Sequence, residues 1–374
     1  MRKDQQNISD LDENMKICEP DENGLLWHNP AEKPFRLCGF YWHDQDQVFR
    51  RLPMSPKYPI SENVEALCNH TAGGQIRFRS DSKRISLKVE ILNIGRMDHM
   101  PDTGMSGFDL YIGKPGSERF YSVLRQSTHT GSYITEMMNV HDSVMRDFVL
   151  NFPLYNGVKS LKIGLEADAK TEEPVAFSVP RPVVIYGTSI TQGGCASRPG
   201  MAFSNILSRK LNVEFLNQGY SGNGKCETEM AKILSEISDP ALFIIDCDAN
   251  CSDYKLFAKL LPRFIDTLRT KHPQMPILII SRISFGKEAH HCTIDVKPLF
   301  PSRALLKNAQ IQIAEVERRR CAGDHNIHFL DGSTLLGRDY WECTVDGVHP
   351  TDLGFYRIAE NLQSIVESLI GVQA

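Results

Sequence analysis

The chain has 374 residues, of which 41% are hydrophobic and 24% are charged. This ordinary globular composition excludes collagen, coiled coils and disordered chains, and the length predicts two or three domains. Lys and Arg total 42 against 46 Asp and Glu, for a formal charge of -4, so no general attraction to nucleic acid or to an anionic membrane is expected.

The start of the chain is polar. Residues 1–22 are predicted to form a mobile polar leader. They lack the apolar core of a signal peptide. No apolar run approaches the roughly 20 residues that cross a bilayer, so no membrane span is predicted. Ten cysteines without a repeating spacing favour reduced thiols. We expect a cytoplasmic location for the sequence as written, and a periplasmic or secreted one if an export signal has been removed.

Residues 23–179 show short apolar–polar alternation interrupted by Gly, Pro and Asn. The alternation predicts half-buried strands at 75–79, 85–91, 108–112, 146–152 and 160–166. No long amphipathic helix separates them, which favours an N-terminal β-sandwich domain.

Residues 180–374 follow a different pattern, in which continuous apolar runs alternate with segments of helical spacing. The runs lie at 182–186, 213–216, 242–245, 277–280 and 327–330, and the helical segments at 202–211, 227–237, 254–270, 305–318 and 355–369. Runs of this kind are typical of strands that are buried on both faces, so the second domain is predicted to be α/β, with a doubly wound, parallel, five-stranded sheet of flavodoxin-like type. Such sheets bind ligands beyond the carboxyl ends of their strands.

A serine follows the first of these runs, in the turn Gly187-Thr188-Ser189. Serine in such a turn is often an N-cap, and a nucleophile is the alternative. Thr191 stands where the Gly-x-Ser-x-Gly elbow of α/β-hydrolases has its last glycine, which disfavours that fold.

The next two runs are followed by Gly222 and by Asn250. A glycine lets a backbone N–H approach a bound oxygen, and an asparagine amide can donate to a developing oxyanion. Capping of the next helix is an equally good interpretation of Asn250. The glycine order matches neither a dinucleotide-binding loop nor a Walker A loop, so nucleotide binding is disfavoured.

An acid and a histidine stand three residues apart before the last helical segment, as Asp346 and His349. A hydrolytic serine needs a base that takes its proton and an acid that fixes the tautomer of the base. Ser189, His349 and Asp346 together meet that requirement.

These blocks, in this order, resemble the SGNH superfamily of serine esterases and acylhydrolases, also called the GDSL family. The resemblance covers residues 181–370 and rests on Gly187-Thr188-Ser189, Gly222, Asn250 and Asp346-x-x-His349. Upstream, the segment Gly107-Phe108-Asp109-Leu110-Tyr111 is similar to the Gly-x-Asp-Leu-Tyr motif of a β-rich domain that precedes one branch of these hydrolases in bacteria.

The resemblance implies a serine esterase that needs no cofactor and no metal. Ser189, His349 and Asp346 would form the triad, and the oxyanion hole would consist of the Ser189 and Gly222 N–H groups and the Asn250 amide. The implied reaction passes through an acyl-enzyme, and the substrate is a small-molecule or glycan ester. Short acyl groups are expected, as in a carbohydrate acetyl esterase.

The sequence departs from the family pattern in two places. Thr188 replaces the usual aspartate before the serine, while Asp248 and Cys251 replace the glycine and aspartate that flank the asparagine. A charge on Asp248 beside the oxyanion hole would disfavour the developing negative charge. Arg198, Tyr220 and Asp248 are the candidate substrate contacts.

Three alternatives remain open from the sequence. The first is a catalytically silent, glycan-binding homologue, and the second is an acylhydrolase acting on lipid or thioester substrates. The third is a metal enzyme, with ligands drawn from Cys247, Cys251, His290, His291 and Cys292, but their spacing matches no zinc motif. The oligomeric state is not predicted.

Overall fold

A computed structural model describes residues 19–124, 131–286, 288 and 302–372, so residues 1–18 of the predicted leader lie outside the described part of the chain. The strands in that part are β1 (Leu25–His28), β2 (Arg36–Cys38), β3 (Gln75–Ser80), β4 (Arg84–Ile91), β5 (Asp109–Ile112), β6 (Arg119–Val123), β7 (Ser132–Asn139), β8 (Arg146–Asn151), β9 (Val158–Glu166), β10 (Thr171–Glu172), β11 (Val179–Gly187), β12 (Val213–Gly219), β13 (Leu242–Asp246), β14 (Ile277–Ile280) and β15 (Ile327–Leu330). The helices are α1 (His43–Asp46), α2 (Glu62–Leu67), α3 (Asp102–Met105), α4 (Ser189–Gln192), α5 (Phe203–Leu211), α6 (Thr228–Leu234), α7 (Tyr254–Lys271), α8 (Ser302–Cys321) and α9 (Asp352–Ile370).

The first half of the chain forms two antiparallel sheets. One has the strand order β1-β9-β4-β7 and the other β10-β3-β8-β5-β6, with β2 also paired to β3. Leu87 and Val89 of β4 are buried, whereas Lys88 between them is exposed. Phe78 and Phe148 of the second sheet belong to the same buried cluster as Leu87 and Val89. The two sheets therefore share one apolar core, which confirms the predicted sandwich.

The second half forms a parallel sheet with the strand order β12-β11-β13-β14-β15. Alternate residues of β11 serve opposite faces: Val183 and Ile185 pack in the cluster that includes α5 and α9, whereas Val184 and Tyr186 pack in the cluster that includes α6 and α7. The Tyr186 ring stacks on Phe264 of α7 with centroids 4.9 Å apart. Helices cover both faces, so the predicted doubly wound α/β fold is confirmed.

Five strands of the first half, β1, β2, β6, β7 and β10, were not predicted from the alternation. β1, β2 and β10 are at most four residues long, too short to show a period of two. Ile134 of β7 is 60% exposed and Phe120 of β6 is 44% exposed, so apolar residues lie on the outward faces and obscure the period of two. The predicted helices are all present, but α6 ends at Leu234 rather than near residue 237, because the Glu236 and Ile237 N–H groups bond three residues back and tighten the chain.

A fully buried arginine ties the two halves together. The Arg51 guanidinium donates to the Leu67 and His70 carbonyls at 2.7 Å, and also to the Asn217 and Gly219 carbonyls at the end of β12. A buried guanidinium requires such acceptors to offset its lost hydration. Arg51 therefore fixes the end of β12, from which the glycine-rich loop begins.

The Gly107–Tyr111 segment forms a second tie between the halves. Asp109 is fully buried and accepts hydrogen bonds from Asn151 Nδ2 at 2.7 Å, the Gly200 N–H at 2.8 Å and Arg198 at 3.0 Å. The Arg198 guanidinium also contacts the Tyr111 hydroxyl. The motif singled out in the sequence thus anchors the sandwich to the segment that follows α4.

Candidate active site

The turn after β11 presents Ser189 at the first position of α4. Thr188 is the N-cap, and its side chain accepts from the Ile190 N–H at 3.3 Å. Gly187 allows a close approach, since an added Cβ would lie 2.0 Å from Thr191 Oγ1 and 2.5 Å from the Asp246 carbonyl oxygen. Thr191 donates to Asp246 Oδ2 at 2.7 Å. Thr188 therefore supplies the cap at the position of the family's aspartate, and β13 fixes the turn.

Ser189 contacts a histidine that is itself bonded to an acid. The Ser189 Oγ lies 2.9 Å from His349 Nε2, and His349 Nδ1 lies 2.8 Å from Asp346 Oδ2. The other Asp346 oxygen accepts from the Val348 N–H at 2.9 Å and the His349 N–H at 2.8 Å. These bonds orient the imidazole so that Nδ1 carries the proton and Nε2 faces the hydroxyl.

The Asp346 carboxyl stays ionised to low pH. Its burial would raise the pKa, but the hydrogen bonds from the His349 ring and from the His349 and Val348 backbone lower the pKa to about 2. The structure thus brings the three residues of the predicted triad together in the order serine, histidine, acid.

The loops after β12 and β13 carry the other predicted donors. Gly222 has φ +67, which favours glycine, and an added Cβ would meet nothing within 4 Å, so backbone conformation rather than space selects it. Asn250 Nδ2 donates to the Asn223 carbonyl at 2.6 Å, which links the two loops and leaves the second amide hydrogen for another acceptor. Among the described residues, neither the Ser189 N–H nor the Gly222 N–H has an acceptor.

Gln192 of α4 braces the glycine-rich loop against the first half of the chain. Its Oε1 accepts from the Ser221 N–H at 3.1 Å, while its Nε2 lies 3.1 Å from both the Leu154 carbonyl and His70 Nδ1. Burial and the Arg51 charge lower the pKa of His70 to about 3, so this ring is neutral and accepts from Gln192. The residue before Gly222 is therefore held by groups from both halves.

The structure corrects two of the predicted substrate contacts. Tyr220 is fully buried, and its hydroxyl donates to Gln218 Oε1 at 2.5 Å while Arg51 covers its ring. Asp248 is 1% exposed, and burial raises its pKa to about 7, with Arg282 opposing the rise. Both side chains therefore lie in the interior, since a residue in the loop after a strand can point inward as well as toward the site.

The third predicted contact, Arg198, remains a prediction. Its guanidinium already has partners within the protein: Asp109 at 3.0 Å, the Tyr111 hydroxyl, and the Phe120 ring, whose centroid lies 3.9 Å away. These contacts show a structural role, so a role toward substrate would be additional to it.

The metal ligands considered from the sequence fall in two places. Cys247 and Cys251 are buried and free, as are the other cysteines in the described ranges except Cys321, which is free and exposed. His290, His291 and Cys292 lie outside the described residues. No helix in the described part of the chain is long and apolar enough to span a membrane.

Four residues near the site were missed because nothing in their local pattern marks them. The Tyr155 hydroxyl lies 2.7 Å from Ser221 Oγ, and a Cβ on Gly194 would lie 2.7 Å from that hydroxyl and 3.4 Å from His349 Cδ2. The His99 ring approaches the His349 ring with centroids 5.7 Å apart. Tyr155 and His99 come from the first half of the chain, so both halves contribute residues to the surroundings of the triad.

Both halves of the chain match the models of known protein families. Residues 180–367 match the model of the GDSL-like lipase/acylhydrolase family, and residues 25–171 match the model of the N-terminus of SGNH-hydrolase-type esterases. A search of curated protein sequences gave no match.

Several solved structures share the fold of both halves. A protein from Bacteroides ovatus described as a GDSL-like lipase is 29% identical with a TM-score of 0.82, over 93% of this chain and 99% of that one. The salicylyl-acyltransferase SsfX3 of a tetracycline biosynthetic pathway is 17% identical with a TM-score of 0.72, over 93% and 98%. The acetyl xylan esterase Est2A from Butyrivibrio proteoclasticus is 13% identical with a TM-score of 0.58, over 93% and 99%.

The last two structures, both under 25% identical, show the fold alone. The family-model match covers half of the chain and contains all four sequence blocks around Ser189, Gly222, Asn250 and His349. The chain therefore belongs to the GDSL-like lipase/acylhydrolase family, and it is an SGNH-type enzyme that hydrolyses ester bonds.

Proposed function

We propose that Ser189, His349 and Asp346 are the catalytic triad of a serine esterase that removes short acyl groups, acetyl above all, from carbohydrates. The observation that carries the proposal is the continuous hydrogen-bond chain from Ser189 Oγ through both His349 nitrogens to Asp346, with distances of 2.9 and 2.8 Å. A hydroxyl in this position can transfer its proton as it attacks a carbonyl.

In the first half-reaction, Ser189 Oγ attacks the ester carbonyl while His349 Nε2 takes the hydroxyl proton. Asp346 stabilises the imidazolium, and the negatively charged carbonyl oxygen accepts from the Ser189 and Gly222 N–H groups and the Asn250 amide. His349 then gives its proton to the leaving alcohol, and an acyl-enzyme remains. Water attacks the acyl-enzyme with His349 again as base, which releases the carboxylic acid and restores the serine.

The choice of a carbohydrate ester rests on two supporting observations. Ser221, half-buried and bonded through its hydroxyl to the buried Tyr155 at 2.7 Å, directly precedes Gly222 in the proposed oxyanion loop and offers a polar group suited to a sugar hydroxyl. The fold, both halves included, is also that of an acetyl xylan esterase and of family two carbohydrate esterases from Clostridium thermocellum and Cellvibrio japonicus.

The test is hydrolysis of p-nitrophenyl esters of increasing acyl length, followed by acetate release from acetylated xylan and acetylated monosaccharides. Wild-type protein should prefer acetate, and Ser189→Ala should lose at least 1,000-fold in kcat while its circular dichroism is unchanged. Ser160→Ala, at an exposed serine of β9, is the matched control and should keep full activity. Equal rates for Ser189→Ala and wild type would overturn the proposed nucleophile.

The same series separates the alternatives. Faster hydrolysis of long-chain esters or acyl thioesters would indicate a lipid or thioester acylhydrolase. Inactivity of the folded wild type on every ester, together with glycan binding, would indicate a silent homologue. Because the fold is shared with a salicylyl-acyltransferase, products should also be analysed with an added alcohol, where the proposal expects free acid rather than a new ester.

A further inference from the structure

Two residues with metal-binding side chains lie against the proposed base and are not used by the proposed mechanism. One ring nitrogen of His99, the Cys195 sulfur and one ring nitrogen of His349 all lie within 4.8 Å of one another. His99 belongs to the loop before α3 in the first half, Cys195 to the bend after α4, and His349 to the loop before α9. The cluster therefore exists only because the two halves pack together.

The chemistry of the three side chains suits a borderline or soft divalent ion such as Zn²⁺, which prefers imidazole and thiolate ligands. Both histidines are backed by a carboxylate: His99 Nδ1 lies 3.1 Å from Asp98 Oδ1, and His349 Nδ1 lies 2.8 Å from Asp346 Oδ2. A carboxylate on one ring nitrogen is the usual partner of a metal-ligating histidine, since it fixes the tautomer and leaves the other nitrogen to the ion.

To bind one ion, the three ligand atoms must move closer together. Tetrahedral zinc with bonds of about 2.0–2.3 Å places its ligand atoms roughly 3.3–3.6 Å apart, so the outer limit of 4.8 Å leaves at most about 1.2–1.5 Å to close. The His99 side chain is 32% exposed and stands on a loop, whereas Cys195 is 5% exposed and held in the bend. The exposed fraction of His349 is 23%, so an ion can reach it from solvent and keep water as its fourth ligand.

From these contacts we propose that His99, Cys195 and His349 form an inhibitory site for Zn²⁺ or a similar divalent transition metal, which switches the esterase off by occupying its base. The inhibition rests on the proposed function, because it assigns His349 as that base. Both ring nitrogens of His349 are already used, one by Ser189 and the other by Asp346. A metal on either nitrogen must therefore displace a partner that the reaction needs.

The binding step balances without an oxidant or reductant. The Cys195 S–H bond breaks, its proton passes to solvent or buffer, and a Zn–S bond forms, while each histidine donates a nitrogen lone pair. Removal of the ion by a chelator reverses every step.

The first test titrates wild-type protein with ZnCl₂ during p-nitrophenyl acetate hydrolysis, with MgCl₂ as the comparison salt. We expect inhibition by zinc alone, reversed by EDTA. His99→Gln and Cys195→Ser should keep basal activity within about twofold and need at least tenfold more zinc for half-inhibition. His325→Gln and Cys321→Ser, both at exposed positions, are the matched controls and should behave as wild type. Equal zinc sensitivity in all five proteins would overturn the site.

The second test measures zinc binding directly, by competition with a chromophoric chelator, and needs no activity. Wild type and Ser189→Ala should each bind one ion more tightly than the double variant His99→Gln/Cys195→Ser, by at least tenfold. Ser189→Ala should bind at least as tightly as wild type, since it lacks the competing hydroxyl. Binding without any esterase activity would refute the proposed function and leave the site intact, whereas undiminished binding by the folded double variant would refute the site.

Discussion

The α/β half (the α/β wall) and the sandwich half (the sandwich wall) hold their carboxylates differently. On the α/β wall, Asp346 keeps 34% of its side chain exposed and accepts from the His349 ring and two backbone N–H groups. On the sandwich wall, Asp109 is fully buried and bonded to Arg198, Asn151 and the Gly200 N–H. Asp346 can stabilise positive charge that develops on the adjacent His349 imidazole. Asp109 is instead held by hydrogen bonds to groups that take no part in the proposed reaction. We infer that the α/β wall performs the chemistry and the sandwich wall positions it.

The largest effect beyond loss of the serine itself is expected from Asp346→Asn. The amide cannot stabilise the imidazolium and favours the wrong tautomer, so kcat should fall by roughly 1,000–10,000-fold with the fold intact. Because the pKa of Asp346 is about 2, its carboxylate is fully ionised at neutral pH, so this deficit should persist from pH 7 to pH 9, as measured by pH–rate profiles of both proteins. A deficit that vanishes at one end of that range would contradict an ionised Asp346.

The next effect is expected from Asn250→Ala, which removes one proposed oxyanion donor. Loss of one such donor typically costs about 100–1,000-fold in kcat, with a smaller change in KM. Since Asn250 also donates to the Asn223 carbonyl, thermal unfolding should be measured alongside. A near-normal kcat in the folded variant would remove Asn250 from the oxyanion hole.

On the sandwich wall, Asp109→Ala should affect stability more than chemistry. It leaves the Arg198 guanidinium and the Gly200 N–H without a buried partner, which should lower the free energy of unfolding by about 3–5 kcal/mol. Glu90→Gln, at an exposed ion pair with Lys159, is the matched control and should leave the melting temperature almost unchanged. If the folded Asp109→Ala enzyme lost kcat as severely as Asp346→Asn, the division between the walls would be wrong.

The smallest effect concerns the buried Asp248. Its pKa of about 7 lies above the unfolded value of 3.8, so the folded state binds the proton more tightly and stability falls as the pH rises between these values. Asp248→Asn carries no charge, so its stability relative to wild type should be greater at pH 8 than at pH 5, by about 1–3 kcal/mol. Melting temperatures at both pH values give the comparison, with exposed Asp44→Asn as control. A stability gain that is the same at both pH values would mean that the charge is not the cause.

Much of the fold is predictable because burial on both faces gives an unbroken apolar run. Val183 and Ile185 face one layer of helices and Val184 faces the other, so β11 is visible from sequence alone. The reacting residues are predictable for a related reason: parallel strands end at the same edge, which brings Ser189 and the loops after the next strands together.

Other features depend on packing between distant segments. His99 meets Cys195 and His349 only once the sandwich docks on the α/β half, and no spacing rule records that contact. Tyr220 and Asp248 follow strands and therefore resemble site residues, yet the structure places both inside. A polar residue after a strand can point either way, and sequence does not decide which. The domain boundaries at residues 22/23 and 179/180 stay a prediction.

The nucleophile can be identified without any substrate by labelling the protein with a fluorophosphonate, followed by peptide mass spectrometry. We expect one label per chain, on the peptide that contains Ser189, with labelling strongly slowed in His349→Ala because the serine then lacks its base. Inactivated enzyme that carries the label on another residue, or that has Ser189 unmodified, would contradict Ser189 as the nucleophile.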